Sequence, residues 1–249
     1  MITIILAGGL GKRMNSLLPK VLHIVNDFPM IYYVIKNAIM IGSYKILIVV
    51  GKYKQMIKSY VDKYFDIDII EYIDQECPNG TGHAVQCCNT FITLLFIQNI
   101  ISQTDNILIL SGDVPLIKVK TLVQILEHQN TILITKSETP FGNGRIIFED
   151  GKIAKIVEEK DCTEIERQIQ YINCGIYNIT VRTFFDTIPF IQNANKSFEY
   201  YLTDIVDLSV KKGIELNYYE LPKTEAYQVM NINTMDELVR ANDNIYDNI

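Results

Sequence analysis

Short runs of Ile, Leu and Val with few polar interruptions constrain the fold of this chain more than any other feature. They lie at residues 3–7, 45–51, 67–73, 106–113 and 131–136. A strand that is apolar at nearly every position has to be buried on both faces, as happens in a parallel sheet that is covered by helices. We therefore predict an α/β fold built on a doubly wound, mostly parallel sheet.

The segments between these runs show helical spacing of apolar residues. Helices are predicted at residues 29–42, 52–65, 82–96 and 118–130. Strands that alternate with helices in this way are typical of doubly wound α/β proteins. A length of 249 residues suits one such unit, and no linker or repeat interrupts it. We expect a single domain that covers residues 1–249.

The pattern changes after residue 140, where antiparallel additions are expected. Two alternating runs flank Asp150-Gly151, a dipeptide typical of a tight hairpin turn. Residues 171–180 are predicted to form a further strand. A last strand is predicted at residues 226–232, followed by a closing helix at residues 234–249.

The charge balance and the cysteines exclude several classes of protein. With 29 acidic and 23 basic residues, the chain lacks the basic character that binds nucleic acid through phosphates. Its five cysteines contain no C-x-x-C pair, which argues against a zinc site or a disulfide framework. The apolar stretch at 91–101 is too short to span a membrane. We expect a cytoplasmic protein without nucleic acid or membrane partners.

The glycine-rich segment LAGGLGKRM follows the first predicted strand, at residues 6–14. Glycines let backbone amides approach an anion, and Lys12, Arg13 and Lys20 add positive charge nearby. The spacing matches neither the P-loop nor the Rossmann dinucleotide fingerprint, because no Ser or Thr follows Gly11-Lys12 and Met14 stands where a third glycine belongs. A phosphate-binding loop and a plain glycine-rich turn remain the two interpretations of the segment itself.

Other polar residues stand near predicted strand ends or helix starts. Asp113 follows an apolar strand and could hold a divalent cation, or it could cap a helix. Asn231 offers a neutral oxygen that could complete such a metal site. Gln75, Gly80 and Thr81 surround a turn before a helix, where they could contact a nucleobase or serve as an ordinary helix cap.

The second half of the chain offers five further candidates. Gly144 could expose backbone to a ligand or simply mark a hairpin entry, and Glu158 shares one strand face with Lys160, which could also be a solvated edge. Asn173 lies inside a strand, where it needs partners. Tyr201 and Thr203 open a helix whose apolar residues are explained by core packing. No arrangement of nucleophile and base emerges, whereas cations, a strand-end acid and exposed backbone suit phosphoryl transfer.

Taken together, the motifs resemble those of sugar-phosphate nucleotidyltransferases, and among these the uridyltransferases that act on N-acetylglucosamine-1-phosphate. The resemblance runs from residue 2 to about residue 240 and rests on LAGGLGKRM, LPKVLH, GTGHAV, GDVPLI, GNGRI, IVEEKDCT, INCGIY and EYYLTDI, in that order. It implies a Rossmann-like, GT-A-like fold. It also implies that the sugar-1-phosphate oxygen attacks the α-phosphorus of UTP in line and that pyrophosphate leaves.

The resemblance also implies roles for individual residues. Catalytic roles would fall to Arg13 and Lys20, with Lys20 at the α-phosphate. Asp113 and Asn231 would hold Mg²⁺, for which Mn²⁺ or Co²⁺ can substitute. The substrates, UTP and N-acetylglucosamine-1-phosphate, would be bound by Leu6, Ala7, Gly8, Gly9, Gly11, Gln75, Gly80, Thr81, Ser111, Gly112, Gly144, Glu158, Asn173, Tyr201 and Thr203.

The chain departs from the family pattern in three ways. Leu10 and Lys12 stand where lysine and threonine are usual, and Ser111 replaces an aromatic residue. Residues 1–249 also lack the hexapeptide-repeat β-helix that carries acetyl transfer and trimerises relatives. We therefore expect no acetyltransferase activity, and the oligomeric state stays open. Two alternatives remain, a uridylyltransferase for another sugar such as glucose-1-phosphate and a non-catalytic nucleotide-sugar sensor.

Overall fold

The computed structural model describes residues 1–246, with side chains to residue 243. Its main sheet contains nine strands. They are β1 (Ile2–Leu6), β4 (Lys45–Val50), β5 (Ile70–Asp74), β6 (Asn106–Ser111), β7 (Thr131–Lys136), β8 (Arg145–Glu149), β9 (Lys152–Val157), β10 (Tyr171–Thr180) and β11 (Asn217–Leu221). A separate two-stranded sheet pairs β2 (Ile24–Val25) with β3 (Phe28–Pro29).

Helices follow most of the strands along the chain. They are α1 (Met30–Met40), α2 (Lys54–Tyr64), α3 (Thr81–Gln86), α4 (Asn89–Ile97), α5 (Val119–Leu126), α6 (Glu164–Arg167), α7 (Val181–Thr187), α8 (Asp204–Lys211) and α9 (Met235–Tyr246). No helix within residues 1–246 is long and apolar enough to cross a membrane. The last three residues of the predicted closing helix, 247–249, lie outside the described residues.

The strand order of the sheet is β11-β7-β10-β6-β1-β4-β5. β1, β4, β5 and β6 run parallel, and β10 runs antiparallel to both of its neighbours, β6 and β7. The hairpin of β8 and β9 attaches to β10 near Ile172. The mostly parallel α/β fold with antiparallel additions in the second half is thus confirmed.

The central strands are buried on both faces, as their composition predicts. Ile4, Leu47 and Ile109 belong to one apolar cluster, whereas their neighbours Ile5 and Ile48 belong to the cluster on the opposite face. Adjacent side chains of a strand point to opposite faces, so a continuous apolar run supplies both clusters at once. This burial fixes the strand ends, where the polar loops begin.

Two predictions of local structure are wrong. Residues 82–96 form two helices, because the Cys88 amide bonds to the Val85 carbonyl at 3.0 Å and tightens the turn between them. The strand predicted at 226–232 is absent, and Lys223–Val229 form a 3-10 helix instead. There the buried Gln228 side chain accepts hydrogen bonds from the Lys118 amide and the Thr121 hydroxyl, which a regular strand would not provide.

Candidate functional site

A cavity of about 360 Å³ lies at the carboxyl ends of β1, β5 and β6, where ligands bind in open α/β sheets. It brings together twelve of the residues that the sequence singled out, from both halves of the chain. They are Leu6, Ala7, Gly8, Gly9, Lys20, Gln75, Gly80, Thr81, Ser111, Asp113, Glu158 and Tyr201.

The glycine-rich loop is packed closely against its surroundings. The Gly112 amide donates to the Leu6 carbonyl at 2.9 Å, which joins the ends of β1 and β6. Gly11 has a φ of +59°, and a Cβ atom there would lie 2.9 Å from the Cβ of Lys20. Only glycine adopts this conformation readily at such a close approach. The loop therefore packs directly against Lys20, which lines the cavity.

Gln75 ties the end of β5 to the turn that precedes α3. Its side chain is buried, and its Nε2 donates to the Gly80 carbonyl at 3.0 Å. Its Oε1 lies against Gly8, where an added Cβ would approach to 2.9 Å. One buried carboxamide thus fixes the distance between the glycine-rich loop and the Gly80 turn.

Residues 199–202 lie across the turn at residues 79–82. The Tyr200 amide donates to the Asn79 carbonyl, and the Gly82 amide donates to the Tyr200 carbonyl, both at 2.8 Å. The Thr81 hydroxyl accepts from the Leu202 amide at 3.1 Å. This pairing brings Tyr201 into the cavity together with Glu199, an acid that the sequence did not single out.

The ammonium group of Lys20 donates to two oxygen acceptors at the rim of the sheet. It forms an ion pair with Asp113, and it donates to Asn233 Oδ1 at 2.8 Å. The side chains of Lys20 and Asp113 are only 16% and 13% exposed. A carboxylate and an amide oxygen therefore converge on one positive charge, and such oxygen donors suit a divalent cation.

The sequence predicts that Asn231 joins Asp113 in a metal site, but it is the Asn233 side chain that lies beside Lys20 and Asp113. The Asn231 carbonyl accepts a bond from Asn233 Nδ2 at 3.1 Å, while the Asn231 side chain lines a different cavity. A capping box directly after Asn233 holds it in place at the start of α9. The Glu237 carboxylate accepts from the amides of Asn233 and Thr234, and the Thr234 hydroxyl caps the Glu237 amide.

Four predicted sugar-site residues form a group on the antiparallel side. The Thr203 hydroxyl, which is almost fully buried, donates to Glu158 Oε1 at 2.9 Å. The backbone amide of Asn173 donates to the Gly144 carbonyl at 2.9 Å. A Cβ on Gly144 would lie 3.6 Å from both the Asn173 Cβ and Glu158 Oε1. Burial raises the pKa of Glu158, although the bond from Thr203 opposes the shift.

Arg145 lies next to this group and binds residues beside Gly144 and Glu158, although the sequence did not single it out. Its fully buried guanidinium donates to Glu159 Oε2 at 2.5 Å and to the Asn143 carbonyl. The Glu159 carboxylate also accepts from the Gly142 amide at 3.1 Å. The available signal was a basic residue on β8 and an acidic pair, Glu158-Glu159, that directly follows its register partner on β9, Val157.

A second cavity, of about 560 Å³, lies beside the first and contains Arg13. Asn231 and Asn233 line it too, so Asn233 touches both this cavity and the Lys20 ammonium. The Lys12 side chain is exposed, within a short 3-10 helix (Lys12–Met14). The structure thus separates Arg13 and Asn231 from the first cavity, whereas Lys20 and Asp113 lie in it.

The mixed sheet, the glycine-rich loop at the end of β1 and the cation–carboxylate pair at the end of β6 define an α/β protein that binds nucleotide phosphates. Residues 2–245 match the nucleotidyl transferase family, and the chain belongs to it. Nucleotidyltransferases of this family generally use a divalent metal ion.

Individual relatives narrow the comparison. A probable UDP-N-acetylglucosamine pyrophosphorylase of Acanthamoeba polyphaga mimivirus is 41% identical, over 94% of this chain and 92% of that protein. The bifunctional protein GlmU of Acinetobacter baumannii is 40% identical over 86% of this chain and 45% of its own length. The chain thus spans about half of the GlmU proteins that it matches.

Among solved structures, a putative glucose-1-phosphate thymidylyltransferase from Bacillus anthracis has the same fold. The TM-score is 0.74, and the alignment covers 99% of this chain and 96% of the other. At 22% identity this likeness concerns the fold alone.

Proposed function

We propose that this chain transfers the uridylyl group of UTP to N-acetylglucosamine-1-phosphate, which yields UDP-N-acetylglucosamine and pyrophosphate. The main support for the proposal is that three features of the site line one cavity. The glycine-rich loop with Gln75, the carboxylate Glu158 and the Lys20–Asp113 ion pair all line this cavity. The name of the mimivirus relative, a probable UDP-N-acetylglucosamine pyrophosphorylase, supports the same activity.

In the proposed reaction, the phosphate oxygen of the sugar-1-phosphate attacks the α-phosphorus of UTP. A phosphorus–oxygen bond forms there, and the bond to the β-phosphate oxygen breaks in line, so pyrophosphate leaves with the electron pair. The protein supplies no nucleophile. Its role is to position the two substrates and to offset negative charge, which is the main source of catalysis in phosphoryl transfer.

The chain's own residues divide this work. Backbone amides of residues 8–11 face the UTP phosphates, with positive charge from Lys20 at the α-phosphate and from Arg13 farther along. Gln75, Gly80 and Thr81 contact the uracil edge. The bond from Gln75 to the Gly80 carbonyl supports this assignment, because it holds those groups in a fixed arrangement.

The proposed metal site consists of Asp113 together with Asn233. Their oxygens already converge on a cation, the Lys20 ammonium, and hard oxygen donors suit Mg²⁺ or Mn²⁺. When bound, the ion neutralises phosphate charge during transfer. Among the described residues no group of three or more His, Cys, Asp or Glu could hold a metal, so the proposed site rests on Asp113 and Asn233 alone.

The sugar is proposed to lie against Glu158, Asn173, Gly144 and Tyr201. Thr203 acts through Glu158, since its hydroxyl is buried and donates to that carboxylate. We also propose that residues 1–249 work as one nucleotidyltransferase domain. The cytoplasmic location stays a prediction, as does the lack of acetyl transfer.

The test is release of pyrophosphate from UTP with a panel of sugar-1-phosphates, with and without Mg²⁺. We expect N-acetylglucosamine-1-phosphate to be preferred over glucose-1-phosphate by at least about tenfold in kcat/KM, because a site with buried polar groups discriminates against a ligand that leaves them unpaired. Equal rates would favour the broader uridylyltransferase alternative. Binding of UDP-N-acetylglucosamine without any turnover would favour the sensor.

A further inference from the structure

Tyr177 is a core tyrosine with a hydroxyl group that reaches a residue of the proposed sugar site. It lies on β10 between Ile109 of β6 and Ile132 of β7, and it is 1% exposed. Its hydroxyl accepts a hydrogen bond from Asn173 Nδ2 at 2.7 Å. Burying a phenol in an apolar core is costly unless its hydroxyl has a partner, so this contact carries structural weight.

An irregularity in β10 makes the contact possible. Pairing with β7 is regular as far as Asn173 and resumes at Tyr177, so the intervening residues bulge out of the ladder. Gly175 lies in this bulge with a φ of +71°, a conformation that favours glycine. Its amide donates to Asn173 Oδ1 at 3.1 Å.

Both ends of the Asn173 carboxamide are therefore held by the protein. The oxygen faces the Gly175 amide, and one N–H faces the Tyr177 hydroxyl. A carboxamide has two N–H donors and an oxygen that accepts two bonds, so one donor and one acceptor position remain. Asn173 lies next to Gly144 and is only partly buried, so these positions are available to a ligand.

Tyr177 is suited to holding a neighbour and not to moving protons. Burial raises its pKa, and the negative charge of Glu158 raises it further. The phenol therefore stays neutral over the pH range in which the enzyme would work.

We propose that Tyr177 is a positioning residue for the sugar-1-phosphate, because its hydroxyl holds the Asn173 carboxamide in the orientation that the sugar meets. The inference rests on the proposed function and extends it to a residue in the core of the sheet that lines neither cavity. Sugar specificity would then depend partly on a buried residue that does not touch the substrate itself.

The test is Tyr177→Phe, which keeps the ring and removes only the hydroxyl. Loss of one hydrogen bond predicts a rise of about 3–10-fold in KM for N-acetylglucosamine-1-phosphate. The KM for UTP should stay within about twofold, since the nucleotide contacts are unaffected. The matched control is Tyr33→Phe, which loses a 2.7 Å bond to the Val25 carbonyl outside both cavities and should leave both KM values unchanged.

A double-mutant cycle separates positioning from general destabilisation. In an Asn173→Ala background, Tyr177→Phe should add no further change in sugar KM, because the group that it positions is gone. An unchanged sugar KM in Tyr177→Phe, an equal rise in both KM values, or additive effects in the double variant would overturn the inference and leave the proposed function standing. A wild-type chain that turns over no sugar-1-phosphate would overturn both.

Discussion

The two sides of the cavity are built in different ways. The proposed nucleotide side relies on backbone groups and close glycine approaches at the ends of parallel strands, as at Gly8 and Gly80. The proposed sugar side relies on side chains that hold one another around the antiparallel strand β10, as Thr203 holds Glu158. Errors in backbone position should therefore harm the first side most, and single side-chain deletions should harm the second.

The proposed metal site, Asp113 with Asn233, offers the largest effect. Asn233→Ala should lower kcat by about 10²-fold or more, because it removes a proposed ligand of the metal ion that stabilises the negative charge of the transition state. Asn231→Ala is the matched control and should change kcat by no more than a few-fold, since it is Asn233 whose side chain accepts the hydrogen bond from Lys20 beside Asp113. Steady-state kinetics and Mn²⁺ titration of both variants would check this; a larger loss in Asn231→Ala would return the metal to the residue that the sequence favoured.

Gly80→Ala tests the backbone side. Its Cβ would lie 2.5 Å from the Tyr200 carbonyl oxygen, and its φ of +111° is unfavourable for alanine. We expect a loss of about 2–3 kcal/mol in the free energy of unfolding, measured by urea denaturation, together with a raised KM for UTP.

Gly42→Ala provides the control for backbone strain alone. Gly42 also has a positive φ, +82°, but an added Cβ there would meet nothing within 4 Å. It should cost only about 1 kcal/mol and leave the kinetics unchanged. Equal losses in the two variants would mean that the contact with Tyr200 does not matter.

These contrasts reflect what the sequence could and could not predict. The glycine-rich loop and Asp113 were predictable because each directly follows an apolar strand, and parallel strand ends converge. Asn233 was not, because its bond to Lys20 spans 213 positions of the chain. Arg145 and Tyr177 were missed for a related reason, since their partners depend on the hairpin register and on a bulge that periodicity does not reveal.

The smallest effect concerns the acidic surroundings of the sugar side. Burial raises the pKa of Asp204 to about 6, and the negative charges of Asp207, Glu158 and Asp161 add to the shift, with Lys211 opposing it. A carboxyl group whose pKa is higher in the folded state than in the unfolded state stabilises the fold most when it is protonated. This contribution is present below about pH 4 and is lost as the pH rises through about 6.

Asp204→Asn should remove that pH dependence. The carboxyl group is half-buried and partly screened by water, so the gain above pH 7 should be no more than about 1 kcal/mol. Thermal unfolding between pH 4 and pH 8 would measure it. Asp186→Asn, in a surface pair with Arg182 at 3.7 Å, serves as control and should leave the slope unchanged; parallel slopes in wild type and Asp204→Asn would contradict the assignment.

In the proposed site, the ion pair of Lys20 with Asp113 would link the binding of the metal ion to the binding of the nucleotide. The ammonium contacts the same oxygens that suit a metal ion, so a metal ion would have to displace it. The free energy of metal binding would then be less favourable by the free energy of the Lys20 contact. A nucleotide phosphate that draws Lys20 away removes this competition. Linkage then requires that metal and nucleotide each strengthen the binding of the other by the same factor.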